Sequence, residues 1–213
     1  MKKWLIILVV AGLAYQYRSH WLPQTSQGAF DAQGKPAVMV YVNDRCQGPC
    51  DQATAFLASR AMPYEVINVD QQPEALKAMR QLGSPGVLPM IVVGKVRLDG
   101  YARAQVDSAL AEAYGLQVLP DAGQEIMQNH FEAGGRPKVI MYGVTWCPYC
   151  KKARKFFEDN GIEYLELDPE KSSEAKSAYQ WLEGNGYPLI YVGARRIEGY
   201  REQSLQDTMK EMF

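Results

Sequence analysis

The chain has 213 residues, a formal net charge of −1, and 47% hydrophobic residues. This length suits two small domains, and the near-neutral charge excludes the strong electrostatic attraction that drives binding to nucleic acid. Its four cysteines form two closely spaced pairs, a pattern that favours thiol chemistry. We therefore expect a redox or metal-binding protein without a nucleic acid partner.

Residues 1–22 predict a signal peptide or a membrane anchor. Two lysines precede an apolar run that carries no charge from Trp4 to Tyr17, which is shorter than the roughly 20 residues of a comfortable membrane span. A basic start and a short apolar core are typical of a signal peptide, and the small residues at 12–14 offer a cleavage site. Aromatic residues at the far end of the run favour an uncleaved anchor instead.

Both interpretations of the N-terminal segment keep the lysines in the cytoplasm and place the rest of the chain outside. We predict a bacterial inner-membrane protein with a single N-terminal anchor, attached to the membrane through this segment, and with its domains facing the periplasm. The alternative is a soluble periplasmic protein after cleavage. Bacteria keep this compartment oxidising, which suits paired cysteines. Residues 23–35 are predicted to be a polar linker.

Residues 36–115 predict a first domain in which strands alternate with helices. Its strands are expected near 37–43, 64–70, 89–93 and 95–99. Its helices are expected near 50–60, 73–82 and 103–114. Gly94 marks the tight turn between the last two strands.

Cys46 and Cys50, the first cysteine pair, enclose the residues Gln-Gly-Pro. On a regular helix, residues four apart have Cβ atoms roughly 5–6 Å apart, which is too far for an unstrained disulfide. Proline is favoured at the first helical position, so a helix that begins at Pro49 would leave Cys46 in a loop that can fold back. This arrangement favours a redox-active or structural disulfide.

Two alternatives for the first pair stay open. Soft thiolates suit Cu(I), so the domain could belong to a copper-binding metallochaperone, with Met90 beside Pro89 as a weak candidate for a third ligand. The pair could also be a static disulfide in a non-catalytic adaptor domain that only holds a partner.

Residues 116–136 are rich in Pro, Gly, Gln and Asn and predict a linker, with a short helix near 121–131. Residues 137–213 then repeat the pattern of the first domain. Their strands are expected near 138–142, 163–168, 189–192 and 195–197. Their helices are expected near 148–160, 171–183 and 201–212. Gly193 marks the last tight turn.

Cys147 and Cys150 are three residues apart, which is one helical turn. A strand before the pair and a helix after it place both thiols at a helix N-terminus, where free N–H groups and the helix dipole favour a thiolate. Lys151, Lys152 and Arg154 add positive charge, which also lowers a thiol pKa. We predict that Cys147, nearer the helix end and more exposed, is the nucleophile, and that Cys150 resolves the mixed disulfide.

A Cys-x-x-Cys pair can also be half of a zinc site, which needs two further ligands. The two His residues of the chain, His20 and His130, lie far from the pair in sequence. We therefore predict thiol–disulfide exchange without a metal or a bound cofactor.

The second half resembles the glutaredoxin family over residues 138–213. Cys-Pro-Tyr-Cys is the dithiol signature of that family, and Tyr187-Pro188 stands where the family has a cis-proline before a strand. The resemblance implies that Pro188 and the Tyr187 backbone hold the cysteinyl group of the substrate, with Tyr149 at the same surface. It implies the same substrate-binding role for Pro89 beside the first cysteine pair.

The two halves repeat each other in one order at an offset of about 100 residues. Leu88-Pro89 matches Tyr187-Pro188, and the segment 66–70 is aligned with 164–168. The resemblance therefore implies an α/β fold of two tandem thioredoxin-like domains, each with a four-stranded mixed sheet and three helices.

The chain departs from the glutaredoxin pattern at the residues that bind glutathione. Three positions before the first Cys, many glutaredoxins have a Lys or Arg, whereas this chain has Asn43 and Val144; the usual Asp pair is absent as well. Glutathione is therefore a possible co-substrate, but the chain lacks the residues that usually bind it. Arg195, Arg196 and Arg201 are candidate carboxylate contacts.

The sequence as a whole predicts a glutaredoxin-like thiol–disulfide oxidoreductase. We expect its partners to be protein or low-molecular-weight thiols and disulfides, and the reductase or thiol donor stays open. A tryptophan directly before the first cysteine, here Trp146, resembles the pattern in thioredoxins and mycothiol-linked redoxins. The electron donor could therefore be a molecule other than glutathione.

Overall fold

The computed structural model describes residues 28–213, which divide by their contacts into two compact units with a boundary between Tyr101 and Ala102. The segment for which we predict a signal peptide or an anchor lies outside the described residues. Within 28–213, no helix is both long enough and apolar enough to cross a bilayer.

The described residues of the first unit form a four-stranded sheet and two helices. Its elements are β1 (Val38–Val42), α1 (Gly48–Ser59), β2 (Glu65–Asn68), α2 (Pro73–Gln81), β3 (Met90–Val93) and β4 (Val96–Asp99). The strand order is β2-β1-β3-β4; β1 and β2 run parallel, and the other two pairs run antiparallel.

The second unit repeats this sheet and adds helices before it. Its elements are α3 (Arg103–Tyr114), a 3-10 turn (Leu116–Val118), α4 (Asp121–Gln128), β5 (Val139–Tyr142), α5 (Pro148–Asp159), β6 (Tyr164–Leu167), α6 (Ser173–Trp181), β7 (Leu189–Val192), β8 (Arg195–Glu198) and α7 (Glu202–Met212). The strand order β6-β5-β7-β8 has the same mixture of parallel and antiparallel pairs. The predicted fold class is therefore confirmed.

Each central strand is apolar on both faces, which explains why it reads as a continuous hydrophobic run. In β5, Val139 and Met141 pack with Phe157 of α5 on one face, while Ile140 and Tyr142 pack on the opposite face. Both faces of the second sheet are thus covered by helices, so the sheet holds the start of α5 at a fixed position.

Helix α3, expected above as the last helix of the first domain, is grouped with the second unit. The Glu183 carboxylate accepts the Ala104 N–H at 3.0 Å, and the Ser108 hydroxyl lies 3.2 Å from the Tyr191 hydroxyl. Long-range polar contacts of this kind decide where the helix packs.

The two segments expected to be linkers contain a repeated structure at their ends. Phe30 forms an isolated β-bridge with Pro36, and Phe131 forms one with Pro137. Ala29 is fully buried, and Met127 in α4 is 1% exposed. The described part of 23–35 and most of 116–136 therefore belong to the folded units.

The alignment of segment 66–70 with 164–168 is wrong by two residues. Val66 pairs with Val40, and Glu166 pairs with Met141, the residue equivalent to Val40. The offset is therefore 100 residues, and Val66 corresponds to Glu166. Both segments alternate in polarity with period two, so a shift by two residues keeps the same pattern.

Candidate active site

The second cysteine pair lies at the start of helix α5. Pro148 is the first helical residue, where its missing N–H costs no helical hydrogen bond and its fixed φ suits the helix. Cys147 is the N-cap residue, and its Sγ accepts a hydrogen bond from the Cys150 N–H at 3.0 Å. The Cys147 sulfur thus lies at the positive end of the helix dipole, which stabilises negative charge there.

Cys147 and Cys150 form a disulfide with their Cα atoms 5.2 Å apart. Cys147 is 3% exposed and Cys150 is fully buried. Both residues are buried in this oxidised state, and Cys147 has the slightly larger exposure of the two.

Two exposed aromatic side chains flank this buried disulfide. Trp146 is 64% exposed and Tyr149 is 54% exposed. The Trp146 Nε1–H donates to the Glu170 carboxylate at 3.0 Å, and the Lys152 ammonium lies 5.4 Å from the centre of the Tyr149 ring. Exposed aromatic groups offer much apolar area for contact, with few torsions to order.

The proline loop lies against the same cysteines. The Tyr187–Pro188 peptide bond is cis, and so is Leu88–Pro89 in the first unit. Tyr187 packs against the apolar cluster formed by Val144, Cys147 and Cys150. The residue before the proline is thus brought next to the disulfide, although it is about 40 residues away in sequence.

Tyr187 also connects two other aromatic side chains. Its ring stacks on Tyr179 with centroids 5.0 Å apart and meets the Trp146 ring edge-on at 6.0 Å. The Tyr179 hydroxyl donates to the Gly186 carbonyl at 2.9 Å, which holds the loop to α6. Partial burial, aided by the charge of Glu170, raises the pKa of Tyr187, so its phenol stays neutral at physiological pH.

Arg154 and Glu166 form an ion pair that contacts the segment before the second cysteine pair. Arg154 donates to both carboxylate oxygens of Glu166, at 2.6 and 2.9 Å, and to the Val144 carbonyl at 3.1 Å. A Cβ atom on Gly143 would lie 3.2 Å from Glu166 Oε1 and 3.4 Å from Cys150 Sγ. Glycine at this position therefore leaves the space in which the carboxylate and the buried sulfur come near each other.

Comparison with known proteins assigns the family. The family model described as Glutaredoxin matches residues 38–97 and 139–197, and the two matches together cover more than half of the chain. The chain belongs to the glutaredoxin family. Both predicted domains are therefore recognised independently, the first one despite its altered cysteine spacing.

Curated glutaredoxins are similar to about a third of the chain. The glutaredoxin of Pseudomonas aeruginosa is 27% identical over 64 residues, which are 30% of this chain and 76% of that protein. A glutaredoxin of Neisseria meningitidis is 30% identical over 66 residues, 30% of this chain and 78% of that protein. The glutaredoxin of Ricinus communis is 32% identical over 65 residues, but these make up only 64% of its length.

Solved glutaredoxin structures also match somewhat more than a third of the chain. A glutaredoxin from Archaeoglobus fulgidus has 25% identity and a TM-score of 0.32, and the match covers 36% of this chain and 90% of that one. A complex of buckwheat glutaredoxin with glutathione has 18% identity and a TM-score of 0.31, with 41% and 82% covered.

Two of the three arginines that are candidate carboxylate contacts in this glutaredoxin family member already bind other groups of the protein. Arg195 donates to Glu112 and Glu211, and Arg196 donates to the Leu182 carbonyl and the Tyr191 hydroxyl. These two arginines hold elements of the second unit together, which leaves exposed Arg201, at the N-cap of α7, as the remaining one of the three.

The first cysteine pair has a different helix start. Cys46 and Cys50 form a disulfide with Cα atoms 5.7 Å apart. Helix α1 begins at Gly48, so Pro49 is its second residue and not its first; the N-cap is Gln47, which makes no side-chain capping bond. Cys46 lies in the preceding loop, as predicted, and its sulfur does not cap the helix.

Asparagine and aspartate side chains shape the loop before Cys46. The Asn43 side-chain oxygen accepts the Cys46 N–H at 2.8 Å. The Asp44 carboxylate accepts from the Asn68 amide at 2.7 Å, while the Asp44 N–H donates to Asp70 at 3.2 Å. Short acceptors that bond nearby backbone are typical of such turns, and here they connect the loop before Cys46 to the loop after β2.

Met90, the weak candidate for a third copper ligand, and His130 are both buried among other groups. Met90 is fully buried in the hydrophobic cluster of the first unit with Tyr41 and Val92. His130 is buried between the Gly193 carbonyl, at 3.3 Å, and the Tyr142 hydroxyl, at 3.1 Å. Across residues 28–213, no group of three or more His, Cys, Asp or Glu residues could hold a metal ion.

Sequence reasoning missed several residues around the second pair. Tyr179, Glu166 and Glu170 come from α6, β6 and the loop between them, and no local pattern connects them to the cysteines. A usable signal for Glu170 was present, because Asp70 stands at the equivalent position of the first half.

Proposed function

We propose that this protein is a thiol–disulfide oxidoreductase whose principal centre is Cys147 with Cys150. The hydrogen bond from the Cys150 N–H to the Cys147 sulfur supports this proposal. After reduction of the disulfide, the same N–H and the helix dipole stabilise a thiolate on Cys147. The thiolate is the nucleophile of disulfide exchange.

In the proposed cycle, the Cys147 thiolate attacks one sulfur of a substrate disulfide. The substrate's other sulfur leaves as a thiolate, and a mixed disulfide forms. Cys150 then attacks the Cys147 sulfur, which releases the second substrate thiolate and closes the Cys147–Cys150 bond. Two electrons pass from the protein to the substrate, and the steps run in reverse when the substrate is a dithiol.

The surface around Cys147 supports substrates larger than a small thiol. Tyr149 and Trp146 offer exposed aromatic faces, and Tyr187 with cis Pro188 lies beside the disulfide. We propose that these side chains bind the cysteinyl segment of a protein or of a low-molecular-weight disulfide. Glutathione is one candidate of the second kind, and buried Val144 stands where its carboxylate would meet a cation in many relatives.

Cys46 and Cys50 are proposed as a second redox centre, with cis Pro89 in the place of Pro188. The disulfide bond and the shared sheet topology support this role. Core packing of Met90 gives no support to a copper site.

The decisive experiment measures insulin reduction by full-length variants. Cys147→Ser should lose at least about 100-fold in activity, because the thiolate is removed. Cys150→Ser should retain the first step and accumulate a mixed disulfide that mass spectrometry detects. Cys46→Ser is the matched comparison at the equivalent position of the first unit, and its loss of activity measures the share of the reaction that passes through the second proposed centre. Full activity of Cys147→Ser, or no mixed disulfide with Cys150→Ser, would refute the proposal.

We also propose that the redox domains are exported across the inner membrane, on the basis of the N-terminal sequence. A reporter enzyme that is active only in the periplasm, fused after Phe213, should be active. Its inactivity, together with activity of a cytoplasmic reporter at the same site, would reject export.

A further inference from the structure

The two cysteine pairs lie in opposite electrostatic surroundings on the same scaffold. From the end of the first strand to four residues past the second Cys, residues 43–54 contain two Asp and one Arg, a net charge of −1. The equivalent residues 144–154 contain two Lys and one Arg, a net charge of +3. The sign of the charge around the sulfurs is therefore reversed between the units.

Part of the positive charge in the second unit is already neutralised. Arg154 is bound to Glu166, so the difference rests mainly on exposed Lys151 and Lys152, which follow Cys150 in the first helical turn. The residue at the position of Lys151 in the first unit is Asp51, in the first turn of α1.

The first unit has one cation in this stretch, Arg45, directly before Cys46. Asp44 precedes it on the same loop, and the Asp70 carboxylate, from the loop after β2, accepts the Asp44 N–H. The local field at the first pair thus gives no net support to a thiolate.

The helix dipole adds to this difference. The Cys147 sulfur is the N-cap acceptor of α5, whereas Gln47 occupies the N-cap of α1 without a side-chain bond and Cys46 lies outside. Charges and hydrogen bonds that stabilise a thiolate stabilise the reduced form of its pair, and they make the disulfide the stronger oxidant.

We propose that the two centres are ordered in potential, with Cys46/Cys50 as the electron donor and Cys147/Cys150 as the acceptor. Cys46, which is half-buried while Cys50 is buried, attacks the Cys147 sulfur as a thiolate and displaces the Cys150 thiolate. Cys50 then attacks Cys46, forms the first disulfide and releases the Cys147 thiolate. Two electrons pass from the first pair to the second, and the thiols and thiolates exchange protons with the solvent.

This order deepens the proposed function and rests on it. It assigns the first domain a place in the reaction sequence: an external dithiol reduces Cys46–Cys50 and is itself oxidised to a disulfide, and the second domain passes the electrons to the substrate. A static structural disulfide in the first unit has no such place.

The test uses two full-length variants, Cys46→Ser/Cys50→Ser and Cys147→Ser/Cys150→Ser. Each is equilibrated with mixtures of reduced and oxidised dithiothreitol, quenched with acid, alkylated and weighed by mass spectrometry. We expect the equilibrium constant for reduction to be at least tenfold larger for the second pair, which corresponds to about 30 mV. Equal constants, or a larger constant for the first pair, would overturn the order.

Charge-reversal variants assign the cause. Lys151→Asp should make the second pair several-fold harder to reduce, and Asp51→Lys should make the first pair several-fold easier to reduce. Unchanged equilibrium constants for reduction in both variants would contradict the electrostatic explanation. Because insulin reduction is measured separately, activity that depends on Cys147 together with the reverse order of potentials would overturn this inference and leave the proposed function standing.

Transfer itself is tested by mixing the two double variants, with the first pair reduced in one and the second pair oxidised in the other. Oxidation of Cys46 and Cys50 with matching reduction of Cys147 and Cys150 supports the proposal. No transfer over hours, while the second pair still reacts with dithiothreitol, would refute it.

Discussion

The two units of this protein share a sheet topology, a cis-proline loop and a cysteine pair, yet they differ at residues next to the cysteines in sequence and at the residue before the cis-proline. Helix α5 places Cys147 on its N-cap, whereas α1 leaves Cys46 one residue further out. Lys151 is replaced by Asp51, Trp146 by Arg45, and Tyr187 by Leu88. The scaffold depends on buried apolar positions that both units keep, so the chemistry of the loop can change without loss of the fold.

The largest expected effect concerns those shared buried positions. Phe157 and Leu57 occupy equivalent sites on α5 and α1, and both are fully buried. Phe157→Ala should destabilise the second unit by about 3–5 kcal/mol, and Leu57→Ala should destabilise the first by about 2–5 kcal/mol, because each leaves a cavity. Urea unfolding of the full chain, followed by hydrogen exchange resolved by peptide, measures both. A loss under about 1 kcal/mol at either site would contradict equivalent cores.

A second difference between the units is the buried His130, where the first unit has Ala29. The pKa of His130 is lowered from 6.5 to about 4, mainly by burial; a hydrogen bond to Gly193 opposes this shift and the charge of Lys138 adds to it. The unfolded chain therefore binds a proton more readily than the native one. The second unit should lose roughly 3 kcal/mol as the pH falls from about 6.5 to below about 4, at about 1.4 kcal/mol for each unit of pKa.

The stability profile from pH 7 to pH 4 tests this dependence. His130→Ala, which copies the first unit, should flatten the profile in that window, although it lowers stability at neutral pH by about 1–3 kcal/mol through the unpaired Tyr142 hydroxyl. An equally steep profile in the variant would place the titrating group elsewhere.

The exposed aromatic surface distinguishes the second site from the first. Trp146→Arg copies Arg45 and removes the largest exposed ring beside the disulfide. We expect kcat/KM for insulin to fall about tenfold, since aromatic anchors contribute more than about 1 kcal/mol to peptide binding. Reduction of a small aliphatic disulfide should change less than about threefold. Equal losses for both substrates would indicate a disturbed cysteine pair in place of a lost docking surface.

The smallest expected effect concerns the Arg154–Glu166 ion pair, which the first unit replaces with Thr54 and Val66. Both side chains are about a quarter exposed, so Glu166→Val should cost about 0.5–1 kcal/mol. The released guanidinium charge should lower the pKa of the Cys147 thiol slightly. Iodoacetamide kinetics against pH measure this pKa, and Glu163→Val on the neighbouring loop provides the control. A raised pKa in Glu166→Val would mean that the carboxylate, not the guanidinium, supports the reactive thiol.

Much of the fold was predictable because its signals are local. Apolar β-branched runs mark β1 and β5, and each of the last hairpins turns at a glycine with positive φ, Gly94 or Gly193. The short helix predicted near 121–131 forms at Asp121–Gln128. The cysteine spacings and Leu88-Pro89 and Tyr187-Pro188 were likewise readable as motifs, since each depends on a few adjacent residues.

The sequence by itself determined the fold class, the two repeats and the position of Cys147 at a helix start, because backbone preferences and apolar periodicity act over a few residues. Only the tertiary structure decided that α3 packs in the second unit, that Tyr187 covers the disulfide, and that Arg154 binds Glu166. Such contacts join residues far apart in the chain, and their free energy comes from side chains that meet only after the sheet has formed. The chemical contrast between the two cysteine pairs arises both from the residues next to them in sequence and from the tertiary contacts around them.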